Sequence, residues 1–134
     1  MAEAHVSSYY AATVNDATRY PRLDGSLRAD VCVIGGGFSG VSTALDLAER
    51  GYSVVLLEAN RIGWGSSGRN GGQMIAGYSG EAELKRQLGR DGARLLHDIR
   101  YLGHDIIESR IAKYNIDCGL KHGWMEAAAK PKHM

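Results

Sequence analysis

The chain has 134 residues, of which 23% are charged, and a formal net charge of +1 with both signs interspersed. It has no basic block of the kind that binds nucleic acid. No stretch is apolar over the length that a bilayer requires, and the N-terminus lacks the regions of a signal peptide. We therefore expect a cytoplasmic protein that binds neither nucleic acid nor a membrane. Cys32 and Cys118 are isolated, which indicates buried or free thiols rather than a disulfide framework.

The first 29 residues predict an N-terminal arm without a complete domain of its own. Residues 15–26, which include Pro21 and Gly25, are typical of irregular structure leading up to a first strand. We expect the nucleotide-binding region to span residues 30–80 and a helical region to follow at 81–134.

A complete βαβ unit is indicated after the arm. Apolar runs at 31–34 and 54–57 predict two parallel strands that are covered on both faces. Between them, Gly35, Gly37 and Gly40 form G-x-G-x-x-G, the glycine pattern that follows the first strand of a dinucleotide-binding fold. The helix that follows has one apolar stripe, formed by Val41, Ala44, Leu45 and Ala48.

Each glycine of this pattern has its own physical role. Gly35 permits the tight turn from strand to helix, Gly37 lets a pyrophosphate approach the backbone, and Gly40 lets the helix lie close to the strand. The free amides at the start of the helix, near Phe38 and Ser39, are expected to hold the phosphates. We place the end of this helix at Gly51, in the C′ position.

An acidic residue completes the pattern at the end of the second strand. Glu58 can accept hydrogen bonds from both ribose hydroxyls of an adenosine, and its charge would repel the extra phosphate of NADP. The residues alone therefore predict FAD or NAD as the cofactor and disfavour NADP.

A second glycine-rich segment follows Glu58 immediately. Its glycines are mixed with Ser, Asn and Arg, and they stand at Gly63, Gly65, Gly68, Gly71, Gly72, Gly77 and Gly80. Such a segment offers backbone amides and a cation to a phosphate or a flavin. The composition of this segment alone would also be typical of a flexible linker. Large apolar side chains at Ile62, Trp64 and Met74 favour the binding segment, because a linker does not need them.

Two helices and a strand are predicted downstream. The helices span residues 81–88 and 91–114, and the second has an apolar face formed by Leu95, Leu96, Ile99, Leu102, Ile106 and Ile107. Alternating side chains at 120–129 predict a strand. His97 and His104 lie near one helix face, but they have no Cys or carboxylate partners at ligand spacing, so we expect no metal site.

These motifs resemble the D-amino-acid-oxidase-type flavoprotein family, and within it the γ-glutamylputrescine oxidoreductase branch. The resemblance rests on residues 29–40, ADVCVIGGGFSG, and more specifically on residues 61–73, RIGWGSSGRNGGQ. Residues 8–10 and 116–118 fit the same branch. The resemblance implies an α/β fold. In this fold a Rossmann-like FAD-binding βαβ unit with parallel strands is followed by helices and the start of a substrate-domain strand.

The resemblance also implies a set of cofactor contacts. The FAD pyrophosphate would be contacted by Gly35, Gly37, Phe38, Ser39 and Gly40. The adenosine ribose would be held by Glu58 and Arg61. Contacts along the phosphates and the ribityl chain would come from Ser66, Ser67 and Gly68. The isoalloxazine ring would lie near Arg69, Asn70, Gly71 and Gly72. Residues 61–80 contain no His or Cys, so this segment cannot attach a flavin covalently.

The activity that the resemblance implies is FAD-dependent oxidation of a small amine or amino acid. A hydride would pass from the carbon bearing nitrogen to the flavin, and the resulting imine would hydrolyse. The branch suggests a substrate similar to γ-glutamylputrescine, whereas no catalytic residue can be assigned. Chains of this family are much longer, so we expect residues 1–134 to be an N-terminal fragment that is inactive alone.

Two other interpretations remain open from the residues. The chain could be a non-catalytic nucleotide-binding or structural module, and a fragment of this kind could self-associate through uncovered apolar faces. It could also be an NAD-dependent dehydrogenase domain, which shares the βαβ pattern. The second glycine-rich segment disfavours that interpretation, because an NAD domain does not need one directly after the acidic residue.

Overall fold

The computed structural model describes residues 5–77, 79–123 and 130. It divides the chain into two compact units, Met1–Gln73 and Met74–Met134. The first unit begins with a short helix, α1 (Tyr9–Ala12), which precedes residues 15–26, where the sequence predicts irregular structure and the chain has neither helix nor strand. The Ser8 hydroxyl accepts a hydrogen bond from the Ala11 amide at 3.2 Å and so caps this single turn.

The first unit contains the βαβ arrangement that the sequence predicts. Strand β1 (Val31–Ile34) is followed by helix α2 (Phe38–Glu49) and strand β2 (Val54–Leu57). The strands are parallel neighbours, with Val31 opposite Val54 and Ile34 opposite Leu57. Helix α2 packs against both strands. The fold is therefore α/β and consistent with the Rossmann-like start of an FAD-binding domain.

The end of α2 follows the glycine signal in the sequence. Arg50 is the C-cap, and Gly51 has a φ of 90°, a conformation that residues with a Cβ rarely adopt. The Gly51 amide donates to the Ala48 carbonyl at 3.0 Å, and the Tyr52 amide donates to the Leu47 carbonyl at 3.1 Å. These bonds close the last turn and confirm Gly51 as the C′ residue.

Asp30 and Ser53 join the two strands at the end where both begin. The Asp30 amide donates to the Ser53 hydroxyl at 2.9 Å, while the Ser53 amide and hydroxyl both donate to the Asp30 carboxylate, at 2.8 and 2.7 Å. These bonds to the ionised carboxylate lower its pKa. The reciprocal link sets the register of the parallel pair from its first residue.

The expected burial of both sheet faces is wrong for β1. Its residues alternate between half-buried and exposed, Cys32 is an exposed free thiol, and 86% of the Ile34 surface is accessible. Among the described residues only Gly36 is classed as buried. The physical reason is that α2 covers one face of the strand pair, and no other described element of the first unit makes more than slight contact with the sheet.

The second unit contains helix α3 (Glu81–Tyr114), which is interrupted at Gly89. Gly89 has φ 66° and ψ −163°, values that no helix contains. The Glu81 carboxylate forms an ion pair with the Arg100 guanidinium. On one straight helix these residues would lie about 28 Å apart, so the two segments fold back on each other. The prediction of separate helices at 81–88 and 91–114 is confirmed.

Helix α3 ends at Asn115, which adopts a left-handed conformation with φ 49°. Of the strand predicted at 120–129, residues 120–123 are irregular, and the remainder lies outside the described residues.

His97 and His104 each contact the Tyr101 ring edge-on, at 5.6 and 6.4 Å between ring centroids. Within 5–77, 79–123 and 130, no three His, Cys, Asp or Glu side chains are grouped as metal ligands would be. No helix in these ranges is both long and apolar enough to cross a membrane.

Candidate cofactor-binding site

The turn between β1 and α2 depends on two glycines. Gly35 has a φ of 103°, which favours glycine, and its amide donates to the Leu57 carbonyl at 2.7 Å. A Cβ built on Gly40 would collide with the Gly35 carbonyl. The helix can therefore approach the strand this closely only because residue 40 has no side chain.

The beginning of α2 offers free hydrogen-bond donors. In the described part of the chain, the amides of Gly37, Ser39 and Gly40 have no hydrogen-bond partner, whereas the Phe38 amide donates to the Ser67 hydroxyl at 3.0 Å. These amides lie at the positive end of the helix dipole. The arrangement suits an anion such as a pyrophosphate.

Gly37 leaves the approach to these amides open. A Cβ added there would lie 3.0 Å from the Ser67 hydroxyl, which is closer than most real Cβ contacts. Any side chain would therefore crowd the space in front of the helix. The bare backbone of Gly37 and the unpaired amides beside it fit a dinucleotide phosphate.

Glu58 follows β2 and points back towards the glycine turn. Its Oε2 accepts a hydrogen bond from the Gly36 amide at 2.7 Å, and its Oε1 accepts one from the Asn60 amide at 2.9 Å. These bonds, with the Gly36 amide as the largest cause, lower the pKa of Glu58 below its ordinary value of 4.5. The side chain is therefore a carboxylate at neutral pH, as a ribose acceptor must be.

The segment after Glu58 packs onto the same turn. The Gly63 amide donates to the Gly36 carbonyl at 2.8 Å, and the Ile62 side chain lies where a Cβ of residue 36 would point. The Nε atom of Arg61 is buried and has no hydrogen-bond partner within the described ranges. A half-buried cationic side chain whose Nε donor is unused is suited to a polar ligand group.

A cavity of about 340 Å³ adjoins this segment. One side is formed by residues 61–63 and Gly68, and the other by arm residues including Tyr10, Asp16 and Tyr20. The Asp16 carboxylate accepts bonds from the Thr18 hydroxyl and amide, which lower its pKa. This contribution of the arm was not predicted from the sequence, where its only signal was the three tyrosines Tyr9, Tyr10 and Tyr20.

The serines of the second motif form a 3₁₀ turn, Ser66–Gly68. The Gly68 amide donates to the Gly65 carbonyl at 3.1 Å, and a Cβ on Gly68 would collide with the Gly63 carbonyl. The turn brings Ser67 to the Phe38 amide, so the two glycine motifs meet at the start of α2.

The last residues of the second motif are fixed by local contacts. The Arg69 guanidinium lies 4.5 Å from the centroid of the Trp64 ring, and its Nε donates to the Trp64 carbonyl at 3.0 Å. Asn70 donates from Nδ2 to the Ser67 carbonyl at 2.9 Å and accepts the Gly72 amide on Oδ1 at 2.8 Å. A Cβ on Gly71 would meet the Gln73 side chain.

The predicted residues thus divide into two groups. The structure gathers those of the first motif, with Glu58, Ile62 and Ser67, around the start of α2. Arg69 instead contacts Trp64, so its charge is directed to an indole rather than to the helix start. The free amides, the unobstructed Gly37 and the ionised Glu58 form a donor and acceptor set that suits a dinucleotide.

Comparisons with known proteins agree with this geometry. The DAO family model, described as FAD dependent oxidoreductase, matches residues 30–133. Gamma-glutamylputrescine oxidoreductase of Escherichia coli (strain K12) is 46% identical over 131 residues, which cover 97% of this chain and 31% of that protein. Probable oxidoreductase OrdL of Haemophilus influenzae is 44% identical over 133 residues, covering 98% of this chain and 31% of that protein.

A more distant relative is the Putative Rieske 2Fe-2S iron-sulfur protein YhfW of Bacillus subtilis, which is 32% identical over 121 residues, covering 90% of this chain and 23% of that protein. The chain spans about a third of the length of these two oxidoreductase relatives from Escherichia coli and Haemophilus influenzae. No solved structure gives a significant match. The family is FAD-dependent, which decides between the two cofactors that the residues alone allow. The family match and the site geometry together show that this chain belongs to the DAO family of FAD-dependent oxidoreductases.

Proposed function

We propose that this chain supplies the FAD-binding part of an oxidoreductase that acts on a small amine or amino acid. The observation that carries the proposal is the start of α2, where unpaired amides of Gly37, Ser39 and Gly40 lie beside an unobstructed Cα. The ionised Glu58 at the end of the neighbouring strand supports it. A dinucleotide matches both features, because its pyrophosphate can accept hydrogen bonds from the amides and its ribose diol can donate to the carboxylate.

The residues would share the cofactor as follows. The first motif holds the pyrophosphate through Gly35, Gly37, Phe38, Ser39 and Gly40. The ribose is held by Glu58, with Arg61 beside it. The 3₁₀ turn follows the phosphates and the ribityl chain through Ser66, Ser67 and Gly68. The ring system lies near Arg69, Asn70, Gly71 and Gly72.

The contribution of these residues is binding and orientation. When bound, FAD accepts a hydride from the carbon that bears the amine nitrogen. Glu58 and the α2 amides fix the adenosine diphosphate end, and the segment from Ser66 to Gly72 determines where the other end lies. The polar groups of that segment would also adjust the electronic properties of the ring.

The substrate class is inferred from the relatives. A protein named gamma-glutamylputrescine oxidoreductase shares 46% identity with this chain over 131 residues. We infer that the substrate is an amine of that kind, with a primary or secondary amine on an aliphatic carbon. Selection among such amines would depend on a substrate domain, because the site proposed in this chain is one for the nucleotide.

Anaerobic reduction of the bound flavin tests this function. The purified full-length protein is mixed with γ-glutamylputrescine, putrescine or an amino acid without oxygen, and the visible flavin absorption is followed. Loss of the band with an amine, but not with the matching alcohol, is expected. This measurement needs no knowledge of the electron acceptor. A protein that keeps FAD but is reduced by no amine would refute amine oxidation and leave FAD binding intact.

A further inference from the structure

The short helix α1 contacts the glycine-rich segment through Tyr10. The Tyr10 hydroxyl lies against the Cα of Gly72, so a Cβ built on Gly72 would collide with the hydroxyl and lie 3.3 Å from Tyr10 Cζ. Gly72 has a φ of 75°. Both the backbone conformation and the tyrosine therefore require glycine here.

Gly72 is linked in turn to the start of α2. Its amide donates to Asn70, and Asn70 donates to the Ser67 carbonyl at 2.9 Å. The Ser67 hydroxyl accepts the Phe38 amide at 3.0 Å. A continuous series of contacts thus runs from the helix that would hold the pyrophosphate to Tyr10 in the arm.

The arm touches the other end of the same segment as well. The His5 ring contacts the Trp64 ring edge-on, with 6.1 Å between centroids. Between these two contacts, arm residues and residues 61–63 with Gly68 enclose the 340 Å³ cavity. The arm therefore lies over the glycine-rich segment rather than away from it.

We propose that Tyr10 is a positioning residue for FAD: it holds Gly72, and through it residues 70–72, in the conformation that meets the ring system. The proposal rests on the proposed function of this site. A segment with glycines at 68, 71 and 72 has large conformational freedom, and ordering it upon binding would weaken affinity. Packing by Tyr10 orders it beforehand.

A double-mutant cycle tests the contact in the full-length protein. Gly72→Ala is made in three backgrounds, namely wild type, Tyr10→Phe and Tyr9→Phe, and the FAD dissociation constant is measured by titrating the apoprotein. Tyr9→Phe is the matched control, because Tyr9 lies on the same helix, is 75% exposed, and keeps its edge-on ring contact with Tyr10 when only its hydroxyl is removed. The strain of alanine at a positive φ is common to all three backgrounds and cancels.

We expect Tyr10→Phe to reduce the effect of Gly72→Ala at least about threefold, because the hydroxyl that collides with the new methyl group is gone. Tyr9→Phe should leave the effect unchanged. Equal effects in all three backgrounds would overturn the contact between Tyr10 and Gly72.

A spectroscopic measurement separates positioning from a merely structural role. Tyr10→Ala is expected to raise the FAD dissociation constant about threefold to tenfold and to shift the visible absorption of bound flavin. Tyr10→Phe should restore the wild-type spectrum, since its ring still packs, and Tyr9→Phe, which keeps the ring that contacts Tyr10, should behave as wild type. A spectrum and an affinity of Tyr10→Ala identical to those of the wild type would refute the positioning role. If the wild-type protein itself binds no FAD, the proposed function fails, which is a different result.

Discussion

In the proposed site, single residues at the start of α2 would determine whether a phosphate can approach the helix amides. Gly37 and Gly65 are both extended glycines that precede a helical turn, with φ values of −84° and −76°. They differ in surroundings, because a Cβ on Gly37 would lie 3.0 Å from the Ser67 hydroxyl, whereas one on Gly65 would meet nothing within 4 Å. This difference makes them a matched pair.

We predict that Gly37→Val weakens FAD binding at least about tenfold, because one lost charge-assisted hydrogen bond already has that effect. Gly65→Val should change the dissociation constant little. Apoprotein titration with FAD measures both variants. Full flavin occupancy in Gly37→Val at low FAD concentration would contradict the placement of the pyrophosphate.

Glu58 gives a prediction about acid stability. Its pKa is lowered in the folded chain by the amides of Gly36 and Asn60. Its contribution to the free energy of unfolding is therefore complete above pH 4.5, its ordinary pKa, and is lost as the pH falls below that value through the folded pKa. Glu58→Gln should remove this part of the acid dependence.

Urea unfolding over a series of acidic pH values measures the effect in the apoprotein. Asp24→Asn is the control, since Asp24 is an exposed carboxylate with no hydrogen bond among the described residues. We expect the control to keep the acid dependence of the wild type. Equal curves for Glu58→Gln and wild type would show that the two amides do not stabilise the ionised carboxylate.

At the scale of elements, local signals in the sequence were sufficient for the βαβ unit. The apolar runs gave both strands with their observed limits, and Gly51 ended the helix as expected. The contact of Tyr10 with Gly72 was not predictable, because it joins residues far apart in the chain through a packing arrangement that no periodicity encodes. The prediction that both faces of β1 are covered was wrong for a related reason. An apolar run indicates what a strand could bury, but another element must supply the cover.

The break in α3 can be tested by a pair of glycines. Gly89 has a positive φ, whereas Gly103 lies in the regular helix, is exposed and would place a Cβ in open space. Gly89→Ala should destabilise the protein by about 1–3 kcal/mol, because alanine is strained there. Gly103→Ala should stabilise it by about 1 kcal/mol, because alanine favours the helix. Chemical unfolding of both variants measures whether the free energy of unfolding falls or rises. A stabilising Gly89→Ala would mean that α3 is continuous.

At the scale of the whole molecule, apolar side chains in the described ranges are widely exposed. Ile34 on β1 is 86% accessible, and Leu95 and Leu102 on α3 are 58% and 52% accessible. Exposed apolar groups in contiguous patches favour association with another surface. The open edges of a two-stranded sheet act in the same direction.

We predict that a polypeptide of these 134 residues self-associates, so that its mass by light scattering rises with concentration. Ile34→Lys should reduce this association, because it places a charge on the uncovered strand face. Leu27→Lys is the control, since Leu27 is 64% exposed but lies outside the strands. A monomeric mass at every concentration would exclude association through the sheet.

The hydrogen bonds of Glu58 have a consequence for the choice of sugar. Each carboxylate oxygen already accepts one backbone amide, from Gly36 or from Asn60. These amides orient the carboxylate before a ligand arrives, and in the proposed site its remaining lone pairs can accept hydrogen bonds from a vicinal diol. A deoxyribose would offer one hydroxyl fewer, so the backbone amides that orient Glu58 would help the proposed site to distinguish ribose from deoxyribose.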